Sequence, residues 1–148
     1  DDLEVVETWD LANVNLTGSW DNIGGSDYCK KSGRYVYSNS VWNIGLLNIT
    51  HEGNRISVFH EHSISHSLGG RNVNTISGAG VFEGNSATVI CDHTFRGSGT
   101  SINIPLGDNI NVPSTSNSSR LTLLITVISG NEITVASSQG ECICRKVK

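Results

Sequence analysis

Three histidines fall within one short run, His60-Glu61-His62-Ser63-Ile64-Ser65-His66. If this run is a strand, alternation places residues 60, 62 and 66 on one face, where three imidazoles converge. Such a face holds a transition metal when its geometry closes. Otherwise it presents neutral donors and acceptors to a polar ligand, a glycan or a neighbouring subunit. No other residue set has the spacing of a catalytic centre. There is no Gly-x-Ser-x-Gly elbow and no phosphate loop, and the 14 acidic residues are scattered, several beside turns. A non-enzymatic protein is therefore expected, without a cofactor.

The cysteines set the redox context. Cys29, Cys91, Cys142 and Cys144 form an even set with no Cys-x-x-Cys pair and no paired metal spacing, which favours disulfides over zinc. Cys142 and Cys144 stand two apart, so on a strand they face the same side and are badly placed to bond each other. Each is expected to reach back to Cys29 or Cys91, with the pairing open. Sequons at Asn15, Asn48 and Asn117 fit the same oxidising compartment. The first residues, Asp1-Asp2-Leu3-Glu4, lack the features of a signal peptide and read as the start of a processed chain. The expectation is a secreted, extracellular glycoprotein.

The segment Leu16-Thr17-Gly18-Ser19-Trp20-Asp21-Asn22-Ile23-Gly24-Gly25-Ser26 resembles the first strand and turn of the avidin family. The matching pattern is Leu/Ile-Thr-Gly-x-Trp-x-Asn followed by Gly-Ser. That resemblance implies an eight-stranded up-and-down barrel, with the family's ligand-contacting Asn and Ser falling on Asn22 and Ser26. Trp20 then has two readings, as a plug of the barrel's closed end or as part of a ligand floor. A second, partial resemblance is to the cupins. His60-x-His62 matches the start of their first motif, and Gly99 with Pro105-Leu106-Gly107 matches part of the second. The cupin Glu position holds His66 and the second-motif His position holds Ile110, so no resident metal is expected.

Elements must carry these residues, and the local patterns point to strands. Three stretches share one design: 49–58, 80–89 and 126–135 each run a β-rich segment into Gly-Asn and out again. Gly and Asn tolerate positive φ, as two-residue hairpin turns require. Three such hairpins make an antiparallel meander. Further strands are expected at 19–22, 33–38, 41–48, 102–104 and 121–128. Segments 66–75 and 96–119 are polar and read as long loops. Leu3, Val6, Trp9 and Leu11 suggest a turn of helix or an N-terminal arm over 1–14. The fold class is all-β, a single domain over 1–148, with an up-and-down barrel of about eight strands favoured over a β-sandwich.

Composition narrows the function. Hydrophobic residues are 36%, charged residues 16%, and the formal net charge is −4. No basic stripe marks a nucleic-acid partner, and no apolar run reaches the roughly 18 residues of a membrane helix. Wealth in Asn, Ser, Gly and His with few aromatics (three each of Trp, Tyr and Phe) suits shallow sugar sites more than a greasy calyx. The expectation is a lectin binding glycans through Trp42 or the His60–His66 run and gaining by homo-oligomeric display. The alternative is a carrier of a small polar ligand inside the barrel, with Trp20, Asn22 and Ser26 at its floor. A cupin-like metal enzyme ranks third.

Overall fold

A computed structural model describes residues 14–67, 69–97, 100–103, 109–112 and 115–147. Of the expected N-terminal arm, only Val14 falls among them. Gly99 and Pro105-Leu106-Gly107 of the cupin-like stretch also lie outside the described residues.

Alternation decides the elements. Ala87, Val89 and Cys91 are buried while Thr88, Ile90 and Asp92 are exposed, and Ile56 and Val58 alternate in the same way with Ser57 and Phe59. A period of two buries one face of a strand against a core and leaves the other in water. The strands in chain order are β1 (Gly18–Gly25), β2 (Gly33–Tyr37), β3 (Ser40–Ile44), β4 (Leu47–Glu52), β5 (Arg55–His66) and β6 (Arg71–Glu83). They continue as β7 (Ser86–Gly97), β8 (Thr100–Asn103), β9 (Asn109–Val112), β10 (Thr115–Ser129), β11 (Glu132–Ser137) and β12 (Gly140–Lys146).

Eight of them close a ring. The order runs β5-β4-β1-β12-β11-β10-β7-β6, and the β5–β6 pairing joins its ends. Every pairing is antiparallel and each barrel strand lies beside its neighbours in sequence, so this is an up-and-down barrel and not a sandwich. All three Gly-Asn hairpins form where expected. Gly53 (φ 62) and Gly84 (φ 68) supply the left-handed residue of two-residue turns. The third, at Gly130-Asn131, instead follows a register shift between Val127 and Ser129.

β3 and β4 both pair with β5, on either side of a break at Gly45-Leu46 where the Gly45 N–H still donates to the Glu61 carbonyl at 3.0 Å. β2 folds onto β3 beyond the rim, and β8 with β9 forms a separate two-stranded sheet.

Two expected loops are largely strand. Half of 66–75 belongs to β6, which begins at Arg71, and 96–119 contains the end of β7, β8, β9 and the start of β10. These strand ends carry few apolar residues, Val73 and Phe95 being isolated among polar ones. The alternation that identifies a half-buried strand therefore fades there.

The core fills one end of the barrel. Leu16, Trp20, Ile49, Ile56, Val58, Phe82, Val89, Ile125, Val127 and Ile133 are all buried. The chain leading into β1 crosses this end: the Leu16 N–H donates to His51 Nδ1 at 3.2 Å, and the His51 N–H donates to Thr17 Oγ1 at 2.9 Å.

Candidate functional site: a cavity in the open end of the barrel

Above the core the interior stays open. A cavity of about 420 Å³ has Trp20 at its floor, and Val135, Leu121, Leu123 and Ile76 on its walls. Trp42, Ile44 and Leu47 complete the apolar lining. Composition argued against an apolar calyx, yet strand alternation turns Ile76, Leu121, Leu123 and Val135 towards this space.

Trp20 lies between the closed end and the cavity. Its indole N–H donates to the Leu16 carbonyl at 2.9 Å, within the closed end, and the residue is fully buried. It plugs one end and offers ring surface to the cavity above. Its one polar atom is already used, so its contribution to a ligand is apolar contact.

The polar lining is dominated by imidazoles. His60 and His62 face inward from β5, with ring centroids 5.8 Å apart, and His93 joins them from β7. Ladder pairing explains the meeting: Ile76 of β6 stands opposite both His60 and His93, and Asn74 stands opposite His62. His93 Nε2 lies 3.0 Å from Asn74 Oδ1, and since that oxygen can only accept, the ring nitrogen donates. The Gly45 backbone lies beside His60 and partly offsets the lowering of its pKa.

Burial pushes the His60 pKa from 6.5 down to about 4, helped by the neighbouring His62. Burial also lowers His62, with His93 adding to the effect. At neutral pH His60 and His62 are uncharged. Among the described residues no group of three His, Cys, Asp or Glu side chains has metal-holding geometry.

One wall of the cavity is a pinned loop. Asp21 is buried beside Trp20, and its Oδ1 accepts from the Ser32 N–H at 2.7 Å while its Oδ2 accepts from Ser32 Oγ at 2.8 Å. A Cys29–Cys142 disulfide ties the same loop to β12. The Tyr28 hydroxyl donates to the Gly140 carbonyl at 3.1 Å. Tyr28 and Lys30 thereby stand at the mouth with Ser137, Ser138 and Gln139 of the β11–β12 turn.

The expected site residues divide. Trp20, Asn22, Trp42, His60 and His62 line the cavity. Asn22 is engaged by the protein itself, since its Nδ2 donates to the Lys30 carbonyl at 2.9 Å and its Oδ1 accepts from the Cys144 thiol at 3.0 Å. Ser26 is not part of the lining. Its hydroxyl accepts from the Glu141 N–H at 3.0 Å and so holds the loop to β12. His66 is exposed at the end of β5, 3.3 Å from Asn72 Nδ2, away from the other two histidines.

Of the cysteines, the expected second bridge is absent: Cys91 and Cys144 are buried free thiols. They sit on β7 and β12, which β10 and β11 separate in the ring, a path of three strand spacings or roughly 14 Å. Disulfide Cα atoms stand within about 7 Å. Burial raises both thiols, Cys91 to about 11 and Cys144 to about 12, with the charges of Asp92 and Asp21 respectively adding to it. Both behave as small core residues and not as nucleophiles.

His93 was missed because it lies outside the His60–His66 run. Extending the alternation Ala87, Val89, Cys91 by one step would have turned it inward. Among the described residues no helix is long and apolar enough to cross a membrane. The chain matches no protein-family model, and neither curated proteins nor solved structures give a match to it.

Proposed function

We propose that this protein is a binder of a small organic ligand inside its barrel, a carrier and not an enzyme. The observation that carries this reading is the 420 Å³ cavity, floored by Trp20 and walled by aliphatic side chains, with a few polar groups converging on it. Ligand sites are typically concave, mostly apolar and sparsely polar in this way, within roughly 300–1,000 Å³. The avidin-like segment 16–26 supports it, because that segment supplies the floor. Glycan binding, which the composition suggested, has no comparable feature in its favour: Trp42 faces the cavity, and His66 is separated from His60 and His62. The Cys29–Cys142 disulfide and the exposed sequon residues Asn15, Asn48 and Asn117 support an extracellular, glycosylated protein.

The test fills the cavity. Nile red, an uncharged dye that brightens in apolar surroundings, is titrated against the wild-type protein and against Val135→Trp. The wild type should bind one dye per chain, and the variant should lose most of that binding while keeping its far-ultraviolet circular dichroism. Equal binding by both would overturn an interior site. A glycan array run on both proteins separates the lectin alternative, which predicts sugar binding indifferent to Val135→Trp.

A further inference from the structure

Resting on the interior-site reading above, we infer that the ligand is an apolar molecule bearing an acidic hydroxyl, a carboxylic acid or a phenol, whose O–H is directed at the cluster of His60, His62 and His93. The argument is one of donor and acceptor supply. A neutral imidazole has one N–H and one acceptor nitrogen. The N–H of His93 is spent on Asn74 Oδ1 at 3.0 Å. The Gly45 backbone beside His60 favours the protonated ring, against the larger effect of burial. His93 is left with an acceptor nitrogen and no free donor, and His60 and His62 bring acceptor nitrogens of their own to the cavity. A ligand group that brings its own proton satisfies them, and one that brings only lone pairs does not.

The charges around the cluster favour an acid over a base. Facing it are Asp21 from β1, Tyr28 and Lys30 from the loop that follows, and Cys144 from β12. β6, β10 and β11 contribute Ile76, Leu121, Leu123, Val135 and Ser137, none of them ionisable. Asp21 is the one carboxylate in the lining, and Ser32 with the Lys31 ammonium at 3.8 Å already occupies it. An ammonium ligand would therefore be buried without a counter-charge. A carboxylic acid is different: either it enters neutral and hydrogen-bonds an imidazole, or its proton moves to the ring and leaves an imidazolium–carboxylate pair. Both states contain the same atoms and charge. Above the acid's own pKa, near 4–5 for an alkyl carboxylic acid, binding must take up about one proton from solvent.

Isothermal titration calorimetry with three probes of equal chain length, octanoic acid, 1-octanol and octylamine, tests this on the intact protein. At pH 6 octanoic acid should bind at least tenfold more tightly than octylamine. Its affinity should fall several-fold for each pH unit from 6 to 8. Repeating the titration in phosphate and in Tris, which differ in ionisation heat, should show uptake of about one proton. His93→Phe removes one of the three acceptor rings and should weaken octanoic acid at pH 6 by more than it weakens 1-octanol. Octanol binding as tightly as octanoic acid, with no pH dependence for either, would overturn the acid preference and leave the interior site standing. Failure of all three probes would overturn both.

Discussion

Two histidines on consecutive strands show how differently the ends of one barrel treat the same side chain. His51, on β4, is sealed in the closed end: Nδ1 accepts the Leu16 N–H, Phe82 meets its ring edge-to-face at 5.4 Å, and the residue is only 8% exposed. Its Nε2 has no hydrogen-bond partner among the described residues. His60, on β5, faces a cavity with His62 beside it and His93 across β6. The closed end fills its interior with branched and aromatic side chains, and an imidazole there acts as one more packed ring holding a chain crossing. At the open end the residues opposite the imidazoles are Ile76 and Asn74, which do not fill the interior. An eight-stranded barrel is just wide enough for side chains to fill or for one small ligand to enter, and here the closed end is filled while the open end keeps a cavity.

The sharpest way to break this division is to exchange tryptophans. Trp20→Ala removes the largest fully buried side chain, and its loss should cost about 3–5 kcal/mol in a urea titration. Trp42→Ala removes a half-buried ring whose Nε1 reaches only Ser40 Oγ at 3.2 Å, and should cost under about 1.5 kcal/mol while weakening ligand binding. Similar costs for both would mean that the open end is as structural as the closed one.

The pH dependence of stability comes next in size. Unfolded His60 takes up a proton below about 6.5, whereas the folded residue resists protonation until about 4. More protons are bound by the unfolded state in that window. Stability is thus complete above about pH 6.5 and falls as the pH drops towards 4. At about 1.4 kcal/mol for each pH unit, His60 contributes a loss of about 3 kcal/mol, and His62 acts in the same direction. His60→Leu should flatten the fall in stability measured by urea denaturation between pH 7 and pH 4. An unchanged slope would place the acid sensitivity elsewhere.

Asp21 stands at the boundary between the ends. Asp21→Asn keeps the size but exchanges an acceptor-only carboxylate for an amide that cannot accept from both Ser32 groups. A cost of about 1–3 kcal/mol is expected, the range for a charge-assisted bond to a buried group. Hydrogen exchange should quicken in residues 26–32 before it changes in β7 or β10. Uniform acceleration would show that the loop is no separate unit.

How much of this was legible in the sequence follows the same division. The closed end was readable because its strands carry regular alternation and its turns carry Gly-Asn: 49–58, 80–89 and 126–135 all form the hairpins expected of them. Trp20 and its neighbours stood out through the avidin-like pattern. The open end was less readable. Arg71–Thr75 has Val73 as its one apolar side chain and Ser116–Ser119 has none, so they looked like loops although they continue β6 and β10. All four cysteines were read as bridge-formers and only Cys29 and Cys142 bond, because which cysteines meet depends on strand order around a closed ring, which spacing does not encode. The histidine cluster was half visible. His60 and His62 share a run, whereas His93 arrives from another strand through register alone.

The smallest effect belongs to the third histidine of that run, and it is informative for that reason. His66 shares strand parity with His60 and His62, yet β5 ends there and carries it past the rim into solvent. Its contact with Asn72 Nδ2 at 3.3 Å is exposed to solvent, worth a few tenths of a kcal/mol at most. His66→Ala should therefore shift stability by less than about 0.5 kcal/mol, in line with surface substitutions generally. It should leave Nile red affinity and the fall in stability below pH 6.5 unchanged. If His66→Ala altered either, the chemistry of the open end would extend beyond the cavity to the rim. The line between scaffold and site would then lie one strand end further out.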